Sequence, residues 1–354
     1  MTRDELVQLV AVQPVLRDLD CRGLSLTGLS FGDVMLQHCD FSDSDMTGLK
    51  ATGTLFQHCR FTNTGLDHAQ WDQVLLKQCD LSYAQLKGAR WSTLNANGCN
   101  FHQADCGGLE ADLCLLEQSQ LTAIDWSQGK QQSCLIKNCD LTQANFRQQQ
   151  LELCVWEQLI TQDIDLRQAR LTKSYFSGLD FSTAQLEAVY LLALQLNHCC
   201  FDQQDLSGVS MNHCYLMDSS LQGTQLTAVE AAHTVFTGAQ LFGVSARGAQ
   251  LLGANFSGAR LQQCDFSEAQ LTQSQFVGAE LEQVIFDQAC LDYADFSHSR
   301  LRQVGGKHTR LRYSQWHCTK EQPPNWQQSD RLGCSGTDPE RLVAEQWSER
   351  RRKT

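Results

Sequence analysis

The sequence predicts an all-β solenoid, and three observations predict it. From Ala249 to Leu301 a large apolar residue stands at every fifth position (Leu251, Phe256, Leu261, Phe266 and so on to Leu301), with a small residue two places before nearly every one. A period of five fits neither the 3.6 of an α-helix nor the 2.0 of a strand, and a short fixed period is the mark of a stacked repeat. Second, residues twenty apart match: Phe236, Phe256, Phe276 and Phe296 form one column, Phe266 and Phe286 another, and Leu241, Leu261, Leu281 and Leu301 a third. Third, where the centre residue is small its partner is large, as in Leu19 with Cys21, Leu49 with Ala51, Leu94 with Ala96, Leu109 with Ala111 and Leu159 with Thr161. Paired volumes that sum to a constant are what a closed, filled lumen requires.

Units such as Ala254-Asn255-Phe256, Cys264-Asp265-Phe266 and Ala294-Asp295-Phe296 resemble those of the pentapeptide-repeat family. The resemblance implies a right-handed quadrilateral β-helix, with four repeats per coil and with the centre residue and the one two before it facing the lumen. At ~4.8 Å between strands, some fifteen coils would make one elongated body of roughly 70 Å.

Taken in order, residues 1–15 form an N-terminal cap. Residues 3 to 12 suit a short helix with Thr2 as its N-cap and Leu6, Leu9 and Val10 on one face. Residues 16–317 hold the repeat in one unbroken frame. Its weakest point is Ser127 to Gln132, where Gln131 at a centre faces Gly129 and no large partner compensates; Gln149 and Gln204 at partner positions are similar, and this segment is the first candidate for a local bulge, although a slightly imperfect coil whose amide finds a backbone partner is the favoured alternative. Asp or Asn before the centre, and Gly two after it, supply the turn at each corner. Residues 318–354 form a C-terminal capping loop and helix. Pro323-Pro324 and Trp326 are placed to fold over the last coil, and Thr337-Asp338-Pro339-Glu340 reads as a capped helix start. Leu342, Val343, Gln346 and Trp347 give that helix an apolar edge, and Arg350 to Lys353 a basic end. Trp326, Leu342, Val343 and Trp347 are accordingly the candidate cap or dimer contact.

Composition narrows the function. Hydrophobic residues make up 42% of the chain, about what two inward positions in five consume, and only 19% are charged. Neither a phosphate-binding glycine loop nor a nucleophile elbow nor a paired-carboxylate site stands out, so no catalytic residue, no cofactor and no metal site is assigned and the chain reads as non-enzymatic. Eleven of the seventeen cysteines (among them Cys39, Cys59, Cys79, Cys99 and Cys264) occupy the small inward position, where they stand in for Ala as free thiols. His-Cys pairs recur at His38-Cys39, His58-Cys59, His198-Cys199, His213-Cys214 and His317-Cys318. Within the repeat, however, Cys points in and His out, so the two cannot share an ion. Cys318 and Cys334 have no CxxC partner, and no zinc site is expected in the tail. The opening MTRDELVQLVAVQP is too short in apolar residues for a secretory signal, and no stretch is long enough to span a membrane, so a cytoplasmic protein without membrane contact is expected.

Charge is what rises above scaffold. The net charge is −12, and between Ser174 and Ser299 only Arg247 and Arg260 oppose thirteen acidic residues. Nine of these fall on two adjacent sides: Asp180, Asp202, Glu280 and Glu282 on one, and Glu187, Asp205, Asp265, Glu268 and Asp287 on the next. That sign disfavours direct nucleic-acid binding and makes the two faces candidate partner-binding surfaces. The family resemblance implies two functions. One is a protein-interaction scaffold, as in long members associated with bacterial secretion or effector machinery. The other is an acidic DNA mimic that binds DNA gyrase and modulates quinolone sensitivity. Either would engage a protein partner, and a homodimer through the C-terminal cap fits the second.

Overall fold

The computed structural model describes residues 1–320, 326 and 328–352. Within each of two compact units, Met1–Tyr190 and Leu191–Thr354, the chain winds as a β-solenoid whose coil is twenty residues long. In the first unit nine parallel strands, from Val15–Arg17 and Met35–Gln37 to Tyr175–Ser177, build one wall. A second ladder starts at Ser30–Phe31 and Lys50–Thr52, and isolated bridges such as Asp40↔Arg60 and Asp45↔Gly65 complete the other two walls. In the second unit Gln240–Phe242, Arg260–Gln262, Glu280–Glu282 and Arg300–Arg302 form a four-stranded wall, with bridges such as Val235↔Asn255 on the others. The pairs join residue i to residue i+20, as in Leu36↔Phe56 and Leu261↔Leu281.

Almost every corner among the described residues rests on one residue in the left-handed backbone region. It lies two after the centre, at φ +54° in His38, +53° in His58 and +53° in Leu113. Glycine is the residue expected there, yet Gln, His and even Leu hold the position. Their amides donate to the next coil (His38 N to Gln57 O, 3.0 Å; Leu113 N to Gln132 O, 3.0 Å), and these bonds offset a strain of about 1–2 kcal/mol per residue.

The lumen is filled by stacked rings. Phe236, Phe256, Phe276 and Phe296 lie 4.9, 5.0 and 4.7 Å apart, and Trp316 continues the column at 4.3 Å. Phe266 and Phe286 stack at 5.5 Å on another wall and meet the first column edge-on at 5.8–5.9 Å. The first unit uses Phe41 on Phe61 and Trp71 on Trp91 in the same way. Where a layer is thin, a neighbouring layer fills it. Trp326 stacks on Phe286 at 5.8 Å across the position of Gly306, where a Cβ would lie 2.4 Å from its ring.

The small inward residues do more than fill space. Their hydroxyls and thiols donate to the carbonyl 23 residues earlier: Thr64 to Phe41 (2.8 Å), Thr224 to Phe201 (2.9 Å), Thr309 to Phe286 (2.9 Å), Cys59 to Leu36 (3.3 Å) and Cys264 to Leu241 (3.2 Å). The cysteines are therefore weak donors as well as substitutes for Ala. All seventeen are free, and burial pushes the Cys139 and Cys264 thiols up to about 11 and those of Cys21 and Cys214 up to about 12.

At Ser127 to Gln132 the coil is unbroken, as the favoured alternative had it, but the Gln131 amide finds no backbone partner. Lys130–Gln132 pairs in register with Glu110–Asp112 and with Gln150–Glu152. The Gln149 carboxamide from the next coil reaches Gly129, within 3.0 Å of where a Cβ would stand, and supplies the missing volume. The amides of Gln131 and Gln149 are fully buried and have no hydrogen-bonding partner among the described residues.

The ladder also outlasts the boundary expected at 317. Arg310 bridges Asp330 and Gln315 bridges Ser335. Thr319, Ser329 and Cys334 each donate to the carbonyl 23 residues back, at 2.9, 3.1 and 2.9 Å. Trp326 is consequently a buried lumen residue of this extension. Pro323-Pro324 and Lys353 lie outside the described residues. Helix α1 (Arg3–Val12) has the expected Thr2 cap, in a full capping box with Glu5, and buries Leu6. Helix α2 (Pro339–Arg352) begins at the expected proline, but Asp338 caps it, accepting from Glu340 N (2.9 Å) and Arg341 N (3.2 Å). The Thr337 hydroxyl is taken by the Cys318 amide instead.

Two predictions follow from this packing. Phe266→Ala should cost about 3–5 kcal/mol and Cys264→Ala at most about 1 kcal/mol, read from urea midpoints; the reverse order would contradict the lumen assignment. Gln131→Leu removes an unpaired buried amide, so the unfolding midpoint should rise, by about 1–3 kcal/mol in stability.

Candidate functional site

Outside the lumen, residues at one repeat position line up coil on coil in ladders. His38 stacks on His58 (4.9 Å), Tyr293 on Tyr313 (5.1 Å), and Gln263, Gln283 and Gln303 pass a chain of amide bonds at 3.0 and 2.9 Å. All nine acidic candidates stand on these outward rows, Asp202, Asp265 and Asp287 half-buried and the rest exposed. Asp180 and Glu187 belong to the first unit and the other seven to the second.

Basic residues interrupt the rows in the second unit. Arg247 donates to Asp265 (3.2 Å) and Glu268 (2.9 Å). Glu280 sits between Arg260 and Arg300, 3.5 Å from each. Arg300 lies one residue beyond the acidic stretch in sequence and is brought onto it by the twenty-residue coil. Asp287 accepts the Lys307 amide at 2.8 Å, and Asp205 the Ser207 amide at 2.9 Å. The Ser207 bonds hold the Asp205 carboxyl below the usual carboxylate range. Burial opposes ionisation of Asp265, but Ser267 and Arg247 outweigh it and leave its carboxyl low as well.

A second cluster joins α2 to the solenoid. Glu345 lies 3.3 Å from His298 Nε2 and 3.2 Å from His317 Nε2, while Arg341 donates to its other oxygen at 2.9 Å. His317 is 3% exposed, its Nδ1 accepts the Asp338 amide at 3.0 Å, and the Cys318 sulfur is 3.3 Å from its Nε2. Desolvation opposes the Glu345 charge, yet Arg341 and the two histidines prevail and its carboxyl is held low. The helix thus meets outward residues of one wall. Leu342 is half-buried, whereas Val343 and Trp347 are 66% and 58% exposed, with the Arg351 guanidinium 4.0 Å from the Trp347 ring centre. The expected apolar edge is largely unpacked because polar contacts hold the helix. A cleft of about 270 Å³ beside the last coil is lined by Trp316, Thr319, Arg331, Cys334 and residues 335–337.

This cluster escaped notice because Cys318 lies past the repeat boundary expected at 317 and has no CxxC partner. In the other four His-Cys pairs the Cys is two before a centre, but Cys318 is two after Trp316, so both His317 and Cys318 face outward. Position in the frame was the signal that separated them.

The family model for pentapeptide repeats matches in eight copies, among them residues 25–63, 54–91, 79–118, 234–269 and 264–303. The chain belongs to the pentapeptide-repeat family. No curated protein matches it significantly in sequence. Solved structures similar to this pentapeptide-repeat protein include QnrB1, a plasmid-mediated fluoroquinolone resistance protein, at 18% identity over 50% of this chain and 90% of that one (TM-score 0.29). HetL, involved in heterocyst differentiation regulation in the cyanobacterium Nostoc, is 16% identical over 95% and 94% (TM-score 0.17). A pentapeptide-repeat protein of the Arabidopsis thaliana thylakoid lumen is 32% identical over 27% and 66% (TM-score 0.17). Among the described residues no helix is long and apolar enough to cross a membrane.

Glu345→Ala should release α2. Limited proteolysis is expected to cut within residues 338–352 several-fold faster than in the wild type, with the repeat intact. Equal rates would mean that Leu342 and its neighbours hold the helix.

Proposed function

We propose that this pentapeptide-repeat protein is a non-catalytic scaffold that binds a protein partner through its outward ladders. The supporting observation is the division of labour within each repeat. Rings and small residues take the inward positions, as in the Phe236 to Trp316 column, so any recognition falls to side chains held at fixed spacing outside. Such a surface meets its partner with rows already ordered, which lowers the entropy cost of association. The acidic rows around Asp205, Asp265 and Asp287 suit a partner with basic side chains. Val343 and Trp347, standing out from α2, offer the surface through which a second copy would join.

Gyrase mimicry would need uninterrupted negative charge along a face, and Arg247, Arg260 and Arg300 pair with the acids instead. The two readings separate in one set of measurements. The purified protein should leave gyrase supercoiling and its quinolone inhibition unchanged at low salt. Capture from native lysate should retain a partner that is lost when Glu187, Asp205, Asp265, Glu268 and Asp287 are changed to Lys. Dose-dependent gyrase inhibition by the wild type, abolished in the charge-reversed form, would reverse the assignment.

A further inference from the structure

One wall of the first unit breaks the rule that outward positions are polar. Its nine strands stack in register, so the residue before each centre forms an outward row along the wall. Val15, Met35, Leu55 and Leu75 open that row, and Asn95 stands at its fifth rung. Leu115, Leu135, Val155 and Tyr175 complete it. On the other three walls of the unit the same repeat position is polar or charged in nearly every coil, as at Asp40, Asp45 and Lys50, with Gly65, Ile160 and Tyr190 the exceptions. Val15 and Tyr175 are exposed, the rungs between them are half-buried, and Leu113 and Leu153 stand exposed at the corner beside the row. A continuous apolar row on a soluble surface marks a contact site.

The order of the row selects the partner. It reads alike from either end: four apolar rungs, one asparagine, four apolar rungs. A second copy laid wall to wall and turned end for end, about a two-fold axis along the strand direction at Asn95, sets Leu75 of one copy against Leu115 of the other. The same operation sets Leu55 against Leu135 and Met35 against Val155. On the polar row of the same strands, one residue after each centre, it brings Lys77 opposite Glu117, twice by symmetry. Lys77 enters no ion pair among the described residues, and Glu117 accepts from Asn97 Nδ2 at 3.3 Å. With the solenoids parallel instead, a two-fold axis would set the apolar row on the polar row of Arg17, Gln37 and Lys77, at a desolvation cost with no apolar gain.

We propose that two copies of this chain associate through this wall, antiparallel about Asn95 and independently of the acidic rows and of α2. At the axis the two Asn95 carboxamides face each other, where each can donate and accept. A slip of one rung would set each against leucine and leave it unpaired, as a lone polar residue fixes register in the apolar seam of a coiled coil. Nine rungs at ~4.8 Å and five residues to a side make a face of roughly 40 by 15 Å, so the pair would bury about 1,200 Å² in all. That is the lower end of stable interfaces, and the dimer is reversible. A two-fold contact of this kind closes on itself and does not propagate into filaments.

The test is sedimentation of the full, reduced chain over about 1–100 µM, the weak end of the affinities such interfaces span. The wild type should pass from monomer to dimer and no further. Leu75→Glu and Leu115→Glu alter outward side chains only, so circular dichroism should be unchanged while the dimer is lost. Lys77→Glu alone should raise the dissociation constant at least about tenfold, because it sets like charges face to face, and adding Glu117→Lys should restore the wild-type value. Val343→Ser/Trp347→Ser, which strips the apolar edge of α2, should leave the dimer in place. A wild type still monomeric at the highest concentration would overturn the proposal, as would a dimer indifferent to Leu75→Glu. Failure of the charge swap to rescue would overturn the antiparallel register, and loss of the dimer in the α2 variant alone would assign the second copy to α2.

Discussion

Everything in this molecule depends on the spacing that backbone hydrogen bonds impose between one coil and the next. Amides on every side donate to the neighbouring coil, as in Phe41 N to Arg60 O at 2.8 Å and Asp40 N to Leu19 O at 2.8 Å. With the rise set in this way, each layer of the lumen has a fixed volume to fill. Leu49 with Ala51, Trp326 over Gly306, and Gln149 beside Gly129 are three solutions to that one requirement. The first balances within a repeat, and the other two borrow from an adjacent coil. A cross-section that cannot change also explains why wide rings stack in parallel within a column, where the coil spacing dictates it, and meet edge to face between columns, an arrangement that aromatic quadrupoles favour.

The inward half of the sequence was legible because it obeys that constraint directly. Period, columns and volume swaps name the lumen residues from Leu16 to Trp316, and the structure buries them almost without exception. The same reading missed the continuation past 317. Arg331 and Gly336 at later centre positions break the apolar pattern, while Thr319, Ser329 and Cys334 keep the partner positions and their carbonyl bonds. It also treated Ala, Ser, Thr and Cys as equivalent, since size alone was considered; the bond to the carbonyl 23 residues earlier distinguishes Ala from the other three.

The outward half was harder to read. Repeat geometry determines which residues share a row, but side-chain reach and charge decide which of them pair. The acidic stretch looked nearly uncompensated in linear order because Arg300 lay just outside it, and coiling placed that arginine against Glu280. The contact between α2 and the wall was beyond reach for a different reason. No periodicity relates Glu345 to His298 and His317, and only the docked helix brings them within 3.3 Å.

The bonds from small inward residues to carbonyls 23 positions back have a direction, and that direction bears on how the chain is made. In Thr64 to Phe41, Cys59 to Leu36 and Thr309 to Phe286 the acceptor always precedes the donor in the chain. During synthesis the acceptor has therefore left the ribosome before its donor exists. Each new corner can be fastened to a coil already laid down, with nothing still to be synthesised required for that bond. The first coil alone has no such template, and α1 with its buried Leu6 precedes it in the chain and lies at that end. Assembly in the order of synthesis would keep the growing edge one coil deep, which limits the unpaired strand surface exposed at any moment.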